Sequence, residues 1–309
     1  MRRGTGLATA WLRSACAAGS ARLAYAALSS HPPGGAKTWT RTNHRNEPVT
    51  LLEGPAAAAG ATWAVLTVPG LSDRERVALT VAGIGAGALG CYDDLAGTGD
   101  RRGFRGHLGA LAQGEVTTGA VKLLGVGATG LAAAIALGKR QPGRSAVVDV
   151  AINTGLVAGS ANLLNLFDLR PGRAIKVLLL AAGALAVAGP DARNAVAAPV
   201  GAAVCLLPED LGERAMLGDA GANALGAMAG VAAASSLRRR TRLAVLAGIV
   251  GLTVASEKIS FTKVIAGTPA LNRLDLLGRR PPAPPEDVDG PEGGAALGRD
   301  DAVARHPIP

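Results

Sequence analysis

Charged side chains are scarce in this sequence. Asp, Glu, Lys and Arg make up 18% of its 309 residues, where a soluble domain carries about a quarter. The shortfall is concentrated: apolar stretches alternate with short polar connections, as at 54–70, 118–138, 174–189, 218–236 and 243–256. Several approach the roughly 20 residues that cross a bilayer core. A soluble helical protein with an alanine-rich core is the alternative, and charge-poor runs repeated over most of the chain argue against it. Aromatic residues stand at only 3%, which leaves out the tryptophan–tyrosine belts that usually mark membrane interfaces. In their place are 43 glycines and alanine throughout, residues that let helices approach closely in lipid. Cysteine is confined to Cys16, Cys91 and Cys205, far apart and without a CxxC. That excludes a disulfide or zinc framework and suits core positions.

What is present in excess is positive charge, a net +9. In a soluble protein this would suggest nucleic acid. Here the arginines sit in loops beside apolar runs, so the expected partners are membrane lipid headgroups or phosphorylated substrates, and no nucleic acid.

The expected fold class is all-α, a polytopic membrane bundle of about nine to ten transmembrane helices. The chain begins like a signal peptide, but Arg13 and Arg22 interrupt the apolar region. Arg13 also spoils the context of Cys16 as a lipoprotein site, so a retained first membrane helix is expected over a cleaved signal. Further helices are expected at 54–70, 77–92, 118–138, 145–166, 174–190, 192–206, 218–236 and 242–256. Residues 1–280 then form one membrane domain. The proline- and glycine-rich remainder, 281–309, lacks periodicity and reads as a disordered tail.

Each spanning helix reverses the side of the next loop, so this placement predicts which loops meet. One side receives 32–53, the Asp93–Asp94 loop, "ANLLNLFDLRPGRAIK", "LLPEDLGERAMLGDAG" and the segment from Glu257 onward. The other receives "LSDRER", "GKRQPGR", "GPDARN" and "LRRRTR", with no polar cluster beyond simple charges. Lysine and arginine are somewhat more numerous on the first side, which assigns it to the cytoplasm.

Acids near hydrocarbon are costly and mark function by default. Asp93 and Asp94 end one apolar run; Asn162, Asn165 and Asp168 end another, at a spacing that lines them along one helical face. Asp219 sits at a glycine-flanked helix entry. Taken singly, Asp219 reads as an N-cap, the two asparagines as interhelical hydrogen-bond glue, and the doublet as a solvated loop start. Taken together on one side, they suit magnesium, which takes one or two carboxylates and completes its shell with water and phosphate; manganese is the second candidate. Arg101, Arg102, Arg105 and His107 follow the doublet, Lys122 lies inside the next apolar run, and Arg170, Arg173 and Lys176 follow Asp168. Cations beside such a site suit a diphosphate, whose developing charge needs neutralising.

"YDD" after an apolar helix, "GSANLLNLFDLRPGRA" and "MLGDAGANALG" resemble, in the same order, three signatures of the polyprenyl-phosphate N-acetylhexosamine-1-phosphate transferases, glycosyltransferase family 4. "RTNHRNEPVTLLEGPA" is similar to that family's early cytoplasmic loop, and the likeness runs from about residue 37 to 280. The resemblance implies a magnesium-dependent enzyme of the plasma membrane with its site on the cytoplasmic face. Such an enzyme moves a sugar 1-phosphate from a UDP-sugar to polyprenyl phosphate and releases UMP, in peptidoglycan or envelope-polysaccharide synthesis. By motif, it gives Asp93 and Asp94 the catalytic aspartate pair, Asp219 and Asp94 the metal, and Asn162, Asn165 and Asp168 the nucleotide diphosphate. Lys122 joins that last group, Arg105, His107, Arg173 and Lys258 are further phosphate contacts, and a homodimer is implied.

The chain departs from the pattern in two places. The middle motif reads "DLRPGRA" in place of DGxDGLA, and the late loop "SEKISFTKVIAGTPALNRLDLLGRRP" carries no histidine. The alternative is therefore a catalytically degenerate relative that binds lipid phosphate or serves as a membrane scaffold. A transporter would put its acids near helix centres, and these lie at helix ends.

Overall fold

The computed structural model describes residues 2–96, 118–138 and 144–281. It is all-α apart from one small hairpin. Helix α1 covers Arg2–Ser30, and a single turn, α2 (Ala36–Trp39), leads into strands β1 (Thr40–Thr42) and β2 (Pro48–Thr50). There follow α3 (Glu53–Thr67), α4 (Asp73–Ala96), α5 (Thr118–Leu137), α6 (Arg144–Phe167), α7 (Arg173–Ala188), α8 (Pro190–Leu211), α9 (Gly218–Ser236) and α10 (Arg239–Ser256). Two short helices, α11 (Phe261–Gly267) and α12 (Pro269–Leu276), complete the described chain. Every expected helix is present, with ends shifted by a few residues.

Two of these helices are long and apolar enough to cross a membrane, through Gly119–Leu137 and Ala146–Phe167, at mean hydropathies of 1.8 and 1.4. A third qualifies if α10 and α11 count as one broken span, bent by 98°. The remaining long helices are too short, too alanine-rich or too charged for composition alone to assign them.

Helix α9 is the hub. Its run of alanine and glycine is buried from Ala220 to Ala234, and it packs on α3, α4, α5, α6, α7 and α8. Only small residues permit this. A Cβ on Gly90 of α4 would lie 2.2 Å from the Asp219 carbonyl oxygen, and one on Gly226 of α9 would lie 2.5 Å from that of Ser160 in α6. Any side chain there would push the helices apart and open the bundle.

The first helix is built into this bundle. Ala17 and Ala21 are fully buried, and Arg13 donates to the Val68 and Pro69 carbonyls at 3.1 and 2.7 Å and to that of Asn194 at 2.9 Å. The guanidinium thus satisfies carbonyls left open where α3 ends. Asn194 adds a bond to the Gly70 carbonyl at 2.6 Å.

Among the described residues, loops meet in the two groups expected from helix alternation; 97–117 and 139–143 lie outside them. At one end the hairpin bridges to the α8–α9 loop, with Thr50 N–H on the Arg214 carbonyl at 3.2 Å and Met216 N–H on the Thr50 carbonyl at 3.0 Å. The far end, however, is not limited to simple charges. Besides the Arg13–Asn194 group it holds a buried ion pair, Arg242 on Asp149 at 3.0 Å, with Arg242 also donating to Asn153 at 2.6 Å. The expectation of a featureless far end is corrected: Arg242 and Asn194 close the loops "LRRRTR" and "GPDARN", but their partners Asp149, Asn153 and Arg13 lie inside helical runs, where loop inspection passes over them.

Candidate active site

The aspartate doublet belongs to the last turn of α4 rather than to the loop beyond it. There its two members face different partners. Asp94 accepts the Asp219 N–H at 3.0 Å on one carboxylate oxygen and the Ala220 N–H at 2.9 Å on the other. It therefore caps α9 from a neighbouring helix, satisfying two N–H groups that α9 cannot satisfy itself. Gly218 makes room for this: its φ is +57°, and a Cβ would lie 3.0 Å from the Asp94 carboxylate. Arg41 of the hairpin donates to the Asp94 carbonyl.

The opposite partner of Asp93 is Lys122, 3.3 Å from its carboxylate. The same ammonium is bonded to Asp219. Lys122 thus stands between two carboxylates from different helices, one turn into α5. Four sequence-predicted residues, Asp93, Asp94, Lys122 and Asp219, gather at one point.

Two cavities flank it. The first, about 240 Å3, is lined by Asp93, Lys122, Asn162, Asn165, Asn223 and Glu257 among others. The second, about 560 Å3, lies between the hairpin and the loops after α6 and α8, against Asn43, His44, Asp168, Arg170, Asp210 and Glu213. Here the expected single face of Asn162, Asn165 and Asp168 is corrected. The two asparagines line the first cavity, whereas α6 stops at Phe167 and Asp168, past the helix end, lines the second.

Asp168 is buried, with one carboxylate oxygen lacking any hydrogen-bond partner. Burial, followed by the negative charges of Asp210, Asp219 and Asp94, pushes its carboxyl well above the usual carboxylate range. On the facing wall burial holds the His44 imidazole below its ordinary value; Arg170, Arg45 and Arg279 add to this while Glu213 opposes it. Glu213 is gripped by Asn43 at 2.9 Å and Arg45 at 3.0 Å.

The basic residues divide. Arg173 is buried and bidentate on Asp275, at 2.7 and 3.0 Å, with a third bond to Thr262 at 3.0 Å. It ties α11 and α12 to the start of α7. Lys258 is exposed in the turn after α10. Arg101, Arg102, Arg105 and His107 lie outside the described residues.

Two buried polar residues escape a reading by motif. Asn223 is 1% exposed, and neither its amide nitrogen nor its oxygen has a partner; standing one turn beyond Asp219, it lines the first cavity. The i, i+4 spacing in "GDAGAN" was the available signal. Glu53 is fully buried at the start of α3, with both oxygens unpartnered. The acid in "LLEGPA" sits at an apolar boundary, where a surface position was equally plausible.

No protein-family model matches the chain, and no curated protein matches it either. Among the described residues, no three His, Cys, Asp or Glu side chains are grouped so as to hold a metal ion by themselves. Two carboxylates do converge on one cationic atom, the Lys122 ammonium. Oxygen donors, excess negative charge and an unpartnered asparagine amide fit a hard divalent cation that brings phosphate ligands with it.

Proposed function

We propose that the protein transfers a sugar 1-phosphate from a UDP-sugar to polyprenyl phosphate. The observation that carries this reading is the convergence of Asp93, Lys122 and Asp219 beside Asn162, Asn165 and Asn223 at one end of a helical bundle. In this reading all nine long helices cross the plasma membrane, and the site end faces the cytoplasm. A substrate phosphate fixed by a lipid tail would be delivered to this boundary, and a soluble nucleotide would enter from water.

Asp93 and Asp219 would hold magnesium, which would supply charge neutralisation to the donor phosphates. Asp94, committed to the α9 N-terminus, would orient Asp219. Lys122 would leave its carboxylates for a phosphate oxygen as the cation arrives, and Asn162, Asn165 and Asn223 would offer amide donors to the diphosphate. An oxygen of the lipid phosphate would attack the donor β-phosphorus; the bond from that phosphorus to the bridging oxygen breaks, and UMP leaves with the oxygen. The retained carboxylates favour this over a silent lipid-phosphate binder, since unused acids beside lipid are costly.

The test is UMP release by purified protein in detergent with polyprenyl phosphate, magnesium and a panel of UDP-sugars. Release from one donor is expected, with Asp219→Asn and Asp94→Asn each lowering it by about a hundredfold or more. Asn223→Ala should raise the KM for the donor. No release from any donor by folded protein would overturn the transferase reading in favour of the silent binder.

A further inference from the structure

The described chain ends in an element that the transferase reading does not use. After α10 the backbone turns through 98° into α11, so α11 cannot continue in the direction of that helix. Phe261 stacks on Phe167 at the end of α6, ring centroids 5.1 Å apart, which fixes α11 at the level of the site end. Helix α12 is held at the same level. Asp275 takes the Arg173 guanidinium, Lys176 donates to the Asp275 carbonyl at 2.6 Å, and Arg279 reaches both the Asp275 carboxylate at 2.8 Å and the Pro171 carbonyl at 3.0 Å.

Apart from the Phe261 stack, this anchorage is polar. Away from these contacts the segment is exposed and apolar: Ile259, Val264, Leu271, Leu274, Leu276 and Leu277 are between 38% and 66% exposed. Interspersed with them are the exposed cations Lys258, Lys263 and Arg273. The acids give little to offset these charges, because Asp275 is turned inward on Arg173 and Glu257 lines the first cavity.

We infer that α11 and α12 form a preorganised platform lying in the membrane interface, where the leucines enter the headgroup–acyl boundary and Lys258, Lys263 and Arg273 bind anionic phospholipid headgroups. Exposed leucines mixed with cations are what an interfacial helix requires, and each cation near an anionic leaflet adds to binding. Charge complementarity thus favours an anionic lipid surface over a second copy of this basic chain. The inference rests on the membrane-bundle part of the proposed function and is independent of the transfer reaction.

The experiment is amide hydrogen exchange on the full chain in nanodiscs of phosphatidylcholine alone and of phosphatidylcholine with phosphatidylglycerol. Stable incorporation into the discs tests the membrane reading separately. Exchange across Phe261–Leu276 should slow by about tenfold in the anionic discs, a factor within reach of three cations. The variant Lys263→Gln/Arg273→Gln, altered only at exposed positions, should lose most of that difference while exchange in α9 stays unchanged. Equal exchange in both discs would overturn the proposal. So would protection that appears in detergent and grows with protein concentration, which would identify a second copy as the cover.

Discussion

Asp94 has both carboxylate oxygens on backbone N–H groups of α9, and this gives it a measurable structural role. Replacing it with alanine leaves two part-buried donors without partners, at a cost of about 1–2 kcal/mol; asparagine keeps one acceptor and should cost less. Thermal unfolding in detergent should therefore rank wild type above Asp94→Asn and Asp94→Ala last. An unmoved midpoint for Asp94→Ala would remove the capping role. Asp168 yields a prediction of opposite character, because its carboxyl lies well above the usual range through burial and neighbouring acids. The sign follows: a raised folded-state pKa means the ligand-free protein keeps a proton that an ordinary carboxyl would have lost. A bound divalent cation with UDP favours the ionised form, so binding should release protons. Calorimetric titration in buffers of different ionisation enthalpy should show that release, and Asp168→Asn should reduce it. Proton uptake would contradict the assignment.

At the scale of elements, the sequence announces its helices and conceals their internal polar contacts. The apolar runs are long and separated by glycine, proline and charge, so nine helices could be placed within a few residues. Their relative order could be read as well, because alternation alone brings the hairpin, the doublet, the end of α6 and the start of α9 to one end. What could not be read is which buried acid meets which base, since Asp149 and Arg242 are far apart in sequence, Asp149 stands alone in an apolar run and Arg242 is one of four arginines in "RRRTR". The structure joins them at 3.0 Å, with Arg242 only 2% exposed. Breaking a buried pair that leaves one charge uncompensated costs about 3–5 kcal/mol, whereas replacing both partners by apolar residues is often close to neutral. Asp149 keeps the half-exposed Arg239 at 3.5 Å, so Arg242→Met should lower thermal stability by less than that full amount, and Arg242→Met/Asp149→Leu should recover most of the loss. Equal losses in the single and double variants would mean that packing, not charge, holds α6 against α10. The same limit explains the candidate site. Motif order pointed to Asp93, Asp94 and Asp219, and its place inside an apolar run to Lys122, but spacing along α6 misplaced Asp168, because the helical wheel was carried past a helix end expected at 166 and found at Phe167.

For the molecule as a whole, the open quantity is how many helices cross the bilayer. Composition assigns two or three, while the described residues form nine long helices, six of which pack on α9. These agree if the remaining helices cross with their polar groups turned inward, where the low charge density of the chain no longer reports on lipid exposure. Arg13 illustrates this: it lowers the apparent hydropathy of α1, yet it is fully buried and bonded to three backbone carbonyls. Asp149 and Arg242 do the same for α6 and α10. Nine spans place the start of α1 and the end of α10 on opposite faces, so that α1 starts on the face away from the site. Single cysteines introduced without Cys16, Cys91 and Cys205 would test it. His44→Cys, in the hairpin, and Lys258→Cys, after α10, should react with a membrane-impermeant maleimide only once the cells are opened. Asp191→Cys, in the exposed first turn of α8, should react from outside intact cells. If all three positions label from the same face, α7 and α8 do not both cross, and the charge-poor helices must be divided between spanning and interfacial ones.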